Sequence, residues 1–268
     1  MGPWHVGCST WIWHQQMDPV ENLSQICADI KAAGFDGFEL FGPLILEPKG
    51  LNALRRAIKE TGLKLVALYA HGEFHKPDKR DKGIAEAVEV AKHLAEFGTD
   101  LLLLGPIPEG KRGKTTEELQ IEVPAIAEIA NKVAPLGVKI AIHNHTPELE
   151  NDCAELVQIL AATRPEQVGL NADTEWCAHA GVDPVGFLRR FAPRVQHVHL
   201  RNSIKNVWSD CLDTGELDHT AICQTLKEIN FKGWLMLEDS WDGQRELKLS
   251  QVERATRGRA AIRKWFGV

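Results

Sequence analysis

The chain of 268 residues is long enough for one large domain or two small ones, and its hydrophobic fraction of 44% can supply a sizeable core. Its formal net charge is −6, and its basic residues are scattered rather than grouped, which argues against a nucleic-acid-binding protein. No uninterrupted apolar run is close to the length of about 18 residues that a membrane span needs. The first residues also lack the basic and apolar segments of a signal peptide.

The six cysteines are spread along the chain without a CxxC pair. Their spacing and low density are typical of reduced thiols and not of a small secreted domain held by disulfides. We therefore predict a protein of a reducing compartment, the cytoplasm, with neither membrane nor nucleic-acid partners.

Short apolar strands alternate with longer amphipathic segments along the whole chain, in eight pairs. The strands are predicted at residues 4–10, 37–40, 63–69, 101–104, 138–142, 168–172, 195–200 and 234–237. The helices are predicted at residues 20–33, 52–61, 81–97, 116–134, 148–163, 184–191, 219–229 and 245–265. Gly34, Gly62, Gly98 and Gly137 follow four of these helices, at positions where a left-handed residue is most readily glycine.

No linker or low-complexity segment interrupts this series. Eight strand–helix units favour a closed parallel (β/α)8 barrel, an α/β fold, over a doubly wound sheet, because crossovers are right-handed and each strand needs two neighbours. We predict that residues 1–268 form this barrel as a single domain. Functional residues of such barrels lie at the carboxyl ends of the strands.

Four consecutive predicted strands, the fifth to the eighth, end in residues that bind metals. His143 and His145 end the fifth strand, Asp173 the sixth, His199 the seventh and Glu238 the eighth. A mixed set of imidazoles and carboxylates suits one Mn²⁺, Mg²⁺, Co²⁺ or Zn²⁺ ion and argues against an all-thiolate structural zinc site. We predict a metal site at His143, Asp173, His199 and Glu238.

Each of these residues also has a structural interpretation. A lone aspartate at a strand end often caps the next helix, and Glu238 could pair with Arg201. His145 is predicted to contact substrate as an acid, base or hydrogen-bond donor. Glu148 could be a ligand, the partner of a histidine, or an acidic residue in the first turn of the next helix.

Further candidates lie near the same barrel end. Glu39 on the second strand is predicted either to bind substrate or to form a buried salt bridge with a neighbouring strand, and His71 after the third strand is a weaker candidate. Indole rings suit the faces of sugars. The tryptophans at or near these strand ends are Trp11, Trp13, Trp176, Trp208 and Trp241, and we expect at least half of them only to plug the barrel.

Two cations could contact substrate: Arg201 could hold a substrate oxygen and Lys205 a phosphate. Neither belongs to a phosphate-binding loop, so a free sugar is favoured over a sugar phosphate. Trp176 and Arg201 are the preferred substrate-binding residues beside Glu39 and Glu148.

Several motifs together resemble the xylose isomerase-like TIM-barrel superfamily, which includes sugar isomerases, ketose epimerases, inosose dehydratases and endonuclease IV. The similar segments are 34–40 (GFDGFEL), 143–145 (HNH), 171–176 (NADTEW) with 180–184 (AGVDP), 197–202 (HVHLRN) and 233–238 (GWLMLE). The resemblance covers nearly the whole chain and implies Asp173, His199 and Glu238 as metal ligands. Many epimerases of the superfamily have glutamate at the end of strand five, where this chain has His143, and this argues against a symmetrical proton shuttle between two glutamates.

The resemblance also bears on the other activities. Endonuclease IV needs a histidine where this chain has Trp176, so DNA repair is disfavoured. The pattern is closer to inosose dehydratase-like enzymes and lyases that act on keto-sugars. A homo-oligomer is implied by the resemblance alone.

Three functions follow from these residues. The first is a metal-dependent isomerase or epimerase of a small keto- or aldo-sugar that acts through an enediolate, with His145 or Glu238 moving the proton. The second is a metal-dependent lyase or dehydratase of a keto-sugar, keto-glycoside or inosose, which also expels a β-substituent. The third is a sugar-binding barrel without catalysis.

Overall fold

A computed structural model describes residues 4–14, 16–108, 110–239 and 246–268. Eight parallel strands form a closed barrel in the order β1-β10-β7-β6-β5-β4-β3-β2, which confirms the predicted (β/α)8 barrel. The barrel strands are β1 (Val6–Ser9), β2 (Gly37–Phe41), β3 (Lys64–Gly72), β4 (Leu101–Pro106), β5 (Lys139–His143), β6 (Val168–Asp173), β7 (Val195–Leu200) and β10 (Trp234–Leu237).

Helices separate these strands. They are α1 (Trp11–His14), α2 (Leu23–Ala32), α3 (Pro48–Thr61), α4 (Pro77–Leu94), α5 (Thr116–Val133), α6 (Glu150–Ala161), α7 (Thr174–His179), α8 (Pro184–Arg190), α9 (His219–Glu228) and α10 (Gln251–Phe266). The short helices α1 and α7 and a hairpin of β8 (Ser203–Ile204) with β9 (Val207–Trp208) were not predicted. The predicted start of the last helix at Arg245 lies outside the described residues.

Local chemistry explains several boundaries. Capping boxes start α5 and α10. The hydroxyls of Thr115 and Ser250 each accept the backbone N–H of the residue three positions later, and the glutamate at that position accepts the backbone N–H of the threonine or serine. The four glycines predicted to end helices all have positive φ, for example 66° at Gly62 and 75° at Gly137.

The chain folds as two compact units, and the prediction of a single domain stays a prediction. In the unit of Met1–Val66 with His197–Val268, Gly7 lies in register with Gly37 on β2 and with Met236 on β10. A Cβ added at Gly7 would lie 2.4 Å from the Met236 sulfur, so glycine leaves the space that this side chain fills.

The unit of Ala67–Gln196 has its own core of buried residues from β3, β4 and β5. It contains Ala67, Leu101, Leu103 and Ala141, with Tyr69 packed against them. The start of α6 is unusual, because Asn151, Asp152 and Cys153 have φ between 51° and 61°, a conformation that costs energy for residues other than glycine.

All six cysteines are buried free thiols, in agreement with the prediction from their spacing. Among the described residues, none of the helices has the length and apolar character needed to cross a membrane.

Candidate active site

Two histidines of β7 share one carboxylate in the interior of the first unit. His197 and His199 are two residues apart and therefore point to the same side of the strand. The Nε2 atom of His199 lies 3.0 Å from Oε2 of Glu39, and the Nε2 atom of His197 bonds to Oε1 of the same residue. One donor atom of each of the three lies within 4.8 Å of the others, so they form a group that could hold a metal ion.

Glu39 therefore has the buried ion pair that was one of its two predicted interpretations. Its partners come from β7 and not from the two strands next to β2 in the barrel, β1 and β3. Burial alone would raise the pKa of Glu39, but the charges and hydrogen bonds of His199 and His197 outweigh burial and lower that pKa to about 2.

His199 lies between two carboxylates. Its Nδ1 atom is 2.7 Å from Oε2 of Glu238, the residue that follows β10, while its Nε2 atom faces Glu39. Burial would lower the pKa of His199, but the two carboxylates outweigh burial and raise it to about 10. His199 and Glu238, predicted on separate strands, are thus in direct contact.

Arg201 pairs with Glu238, and this ion pair was the predicted structural interpretation of Glu238. The guanidinium is buried, and its central carbon lies 5.0 Å from the centre of the Trp208 ring, within the range of a cation–π contact. Glu238 is therefore held by both His199 and Arg201. Lys205 is instead exposed at the turn of the β8–β9 hairpin, with a φ of 51°.

In the second unit, β5 and β6 bring His143 and Asp173 together. Nε2 of His143 lies 3.6 Å from Oδ2 of Asp173, and both side chains are buried. The other oxygen, Oδ1, accepts the backbone N–H groups of Glu175 and Trp176 at 3.1 and 2.9 Å and so caps α7. Asp173 therefore caps a helix with one oxygen while the other faces a histidine.

The side chain of Asn144 holds the backbone of Asp173 by two hydrogen bonds that were not predicted from the sequence. Its side-chain nitrogen donates to the carbonyl of Asp173 at 3.1 Å, and its side-chain oxygen accepts the N–H of Asp173 at 3.0 Å. Asn144 is fully buried, so its amide continues the hydrogen-bond ladder beyond the end of β5. The only signal in the sequence is its place between two histidines at a strand end.

His145 lies in a row of rings that includes Trp176. Its ring centre is 4.5 Å from that of His143 and 5.4 Å from that of Trp176, with the indole edge-on. From the other side Oε2 of Glu148 accepts the N–H of His145 at 2.7 Å and lies 3.5 Å from its Nδ1 atom. Among the roles predicted for Glu148, these contacts fit the partner of a histidine.

A buried ionic cluster around Lys114 was also not predicted from the sequence. The ammonium group of Lys114 lies 2.9 Å from Glu155 and 3.3 Å from Glu122, and all three side chains are buried. Burial raises the pKa of Glu122 and raises that of Glu155 well above its ordinary value. These residues lie far apart in the sequence, on the loop before α5, on α5 and on α6.

The remaining ring candidates differ in exposure. Trp13 is buried, whereas Trp11 is exposed and both Trp176 and Trp208 are half-buried, so one of these four tryptophans has the burial expected of at least half. His71 belongs to β3 and is not part of a loop. Trp241 lies outside the described residues.

The predicted ligand set fits a divalent ion by its chemistry. Two imidazoles and two carboxylates offer nitrogen and oxygen donors, which Mn²⁺, Co²⁺ and Zn²⁺ accept together. Three of the four side chains are buried and Glu238 is half-buried, so each could bind an ion away from bulk water.

Comparison with known proteins assigns the family. A family model described as "Xylose isomerase-like TIM barrel" matches residues 27–265. The chain therefore belongs to the xylose isomerase-like TIM-barrel family, which confirms the resemblance seen in its motifs.

The relatives carry the names of sugar- and cyclitol-converting enzymes. An inosose dehydratase of Clostridium botulinum is 23% identical, with the match covering 90% of this chain and 89% of that protein. The rhizopine catabolism protein MocC of Rhizobium meliloti is 26% identical over 82% of this chain and 75% of its own. A D-allulose 3-epimerase from Methylomonas sp., solved with D-allulose, has a TM-score of 0.79 at 17% identity and covers 98% of this chain and 97% of its own.

Proposed function

We propose that this protein is a divalent-metal-dependent enzyme that removes the proton next to the carbonyl group of a small keto-sugar or keto-cyclitol. The ion would be held by His143, Asp173, His199 and Glu238. The observation that carries the proposal is the placement of these residues at the carboxyl ends of β5, β6, β7 and β10, which are consecutive in the barrel. Together the four side chains would offer two imidazole nitrogens and two carboxylates, a donor set that divalent ions accept.

The residues divide the chemistry between them. A divalent ion held by these four residues would supply Lewis-acid chemistry for a substrate carbonyl and its neighbouring hydroxyl. His145, with about a quarter of its side chain exposed, is the group that exchanges a proton with substrate. Glu238 is a second candidate base, but its contacts with Arg201 and His199 limit its freedom to accept a proton.

Elimination is the favoured outcome of the proton removal. Epimerisation by two equivalent carboxylates needs a second glutamate, and the position at the end of β5 is His143. An elimination needs one base to remove the α-proton and one acid to protonate the departing β-hydroxyl, which leaves as water. A single base together with an imidazole acid suits this reaction. The inosose dehydratase name of the curated relative supports the same choice.

Isomerisation or epimerisation is the second candidate. It shares the first step, and the likeness to the D-allulose 3-epimerase structure supports a free sugar as substrate. The absence of a phosphate-binding loop in the sequence also favours free sugars and cyclitols over their phosphates. The cytoplasm remains the proposed location.

Two measurements test the proposal. Metal content is determined by mass spectrometry for the wild type and His199→Ala, and we expect about one divalent ion per wild-type chain and a large loss in the variant. The protein is then incubated in deuterated water with D-allulose and, separately, with an inosose. We expect deuterium at the α-carbon wherever the deprotonated intermediate takes up a proton again, and an α,β-unsaturated product that absorbs in the near ultraviolet if the reaction is an elimination.

The outcomes separate the three functions. Deuterium exchange without the unsaturated product assigns an isomerase or epimerase. Ligand binding that is indifferent to chelators, with no exchange in either substrate, assigns a sugar-binding barrel and overturns the enzymatic proposal.

A further inference from the structure

Lys114 is the centre of a buried ionic cluster in the second unit. Its side chain is fully buried, and its ammonium group contacts Glu155 at 2.9 Å and Glu122 at 3.3 Å. The Nδ1 atom of His75 lies 3.8 Å from the same oxygen of Glu122. A buried charge is costly unless it is paired, so this arrangement is specific and not a solvated surface pair.

The same cluster extends electrostatically to Glu148. Burial would raise the pKa of Glu148, but its bonds to His145 and the charge of Lys114 outweigh burial and lower it. Glu148 also raises the pKa of Glu155, because the carboxylates repel one another. The charge of Lys114 thus acts on Glu122, Glu148 and Glu155, in addition to the bonds of His145 to Glu148.

Glu148 uses a single oxygen to hold His145. Its Oε2 atom accepts the backbone N–H at 2.7 Å and lies 3.5 Å from the ring nitrogen Nδ1. Glu148 is fully buried, whereas His145 is partly exposed. A carboxylate that contacts both the backbone and the ring restricts the direction in which the imidazole points.

The segment that carries Glu148 is anchored by the loop before α5. Lys114 bonds to Glu155, and the N–H of its neighbour Gly113 donates to Glu150 at 2.8 Å. Between these two anchors lie the three left-handed residues 151–153. Backbone in this conformation persists only when its surroundings hold it, so the loop contacts support the whole turn after His145.

We propose that Glu148 and Lys114 are positioning residues for His145. Glu148 fixes the backbone and ring of the histidine, and Lys114, through its contact with Glu155, anchors the segment that carries Glu148. The inference rests on the proposed function only in taking His145 as the group that exchanges a proton with substrate.

Hydrogen–deuterium exchange by mass spectrometry tests the positioning without any substrate. Exchange of the segment 143–149 is compared among the wild type, Glu148→Ala, Glu148→Gln and Lys114→Met. We expect at least about tenfold faster exchange in Glu148→Ala and Lys114→Met, because a hydrogen bond to a charged group is lost or weakened. Glu148→Gln keeps an oxygen acceptor and should retain most of the protection.

Two further variants keep the test decisive. Lys139→Met removes an exposed lysine that lies 3.3 Å from Asp100 and serves as the matched control, with no change expected in segment 143–149. If Lys114→Met does not fold, the double variant Lys114→Met with Glu155→Gln is used in its place, because it also removes the carboxyl group that Lys114 contacts. Unchanged exchange of the segment in the folded variants, or equal acceleration throughout the chain, overturns the proposal.

Turnover provides a second measurement, because a purely structural role of Glu148 would not lower kcat while KM and metal content stay unchanged. With D-allulose or an inosose, whichever the wild type converts, Glu148→Ala should lower kcat at least about tenfold with unchanged metal content and little change in KM, and Glu148→Gln should restore part of it. If the wild type converts neither, the proposed function fails, while the exchange experiment still decides whether Glu148 and Lys114 hold His145.

Discussion

Replacing Asn144 with leucine should destabilise the protein strongly. The side-chain amide makes two buried hydrogen bonds to the backbone of Asp173, at 3.0 and 3.1 Å, and leucine of similar size can make neither. Each buried backbone group left without its partner costs about 1–3 kcal/mol, so with two such groups we expect a loss of about 2–6 kcal/mol in the free energy of unfolding.

The assay is urea denaturation followed by circular dichroism, with the metal removed by chelator so that its binding does not contribute. Asn52→Leu provides the matched control, because Asn52 is exposed on α3, its hydrogen bond with Arg55 lies at the surface, and the change should alter stability by less than about 0.5 kcal/mol. A loss below about 1 kcal/mol in Asn144→Leu would show that the amide does not carry the link between β5 and Asp173. Because Asp173 is also a proposed ligand, the same variant should bind the metal more weakly.

Three other changes have expected outcomes. In Gly105→Ala the new Cβ would lie 1.9 Å from the hydroxyl of Tyr69, so the melting temperature should fall by several degrees, and an unchanged melting temperature would show that the Tyr69 ring moves aside without cost. Ser250→Ala removes the cap of α10 and should cost about 1 kcal/mol in urea, and a neutral result would contradict the capping role. Burial raises the pKa of Glu155 in the folded state, so its ionisation opposes folding. The wild type should therefore lose stability relative to Glu155→Gln as the pH rises above about 4.3. A stability difference that does not change with pH would argue against this burial effect.

The barrel and the position of the proposed ligands follow from local patterns. Apolar strands alternate with amphipathic helices, and each strand stops close to where its apolar run ends, as at His143 and Asp173. The period of the pattern determines which residues face inward, so it accounts for His197 and His199 lying on one side of β7. Such features depend on neighbours in the sequence and can be derived from them.

The supporting contacts could not be derived in this way. Glu148 has the position of an ordinary acidic residue at a helix start, and the next helix is held by the contact of Glu155 with Lys114, 41 positions earlier. The β8–β9 hairpin was missed because its turn uses Lys205 and Asn206 with positive φ, where the usual signal contains glycine. These contacts arise from long-range packing, for which one sequence contains no local pattern.

The two oxygens of Asp173 have consequences for ion size. Because Oδ1 receives two backbone N–H groups at the start of α7, only Oδ2 faces His143, and the carboxylate can offer an ion a single oxygen without releasing the helix. Ca²⁺ requires six to eight oxygens and often takes both from one carboxylate, whereas smaller ions accept fewer donors and include imidazole. The cap of a six-residue helix thus disfavours calcium and favours a compact ion.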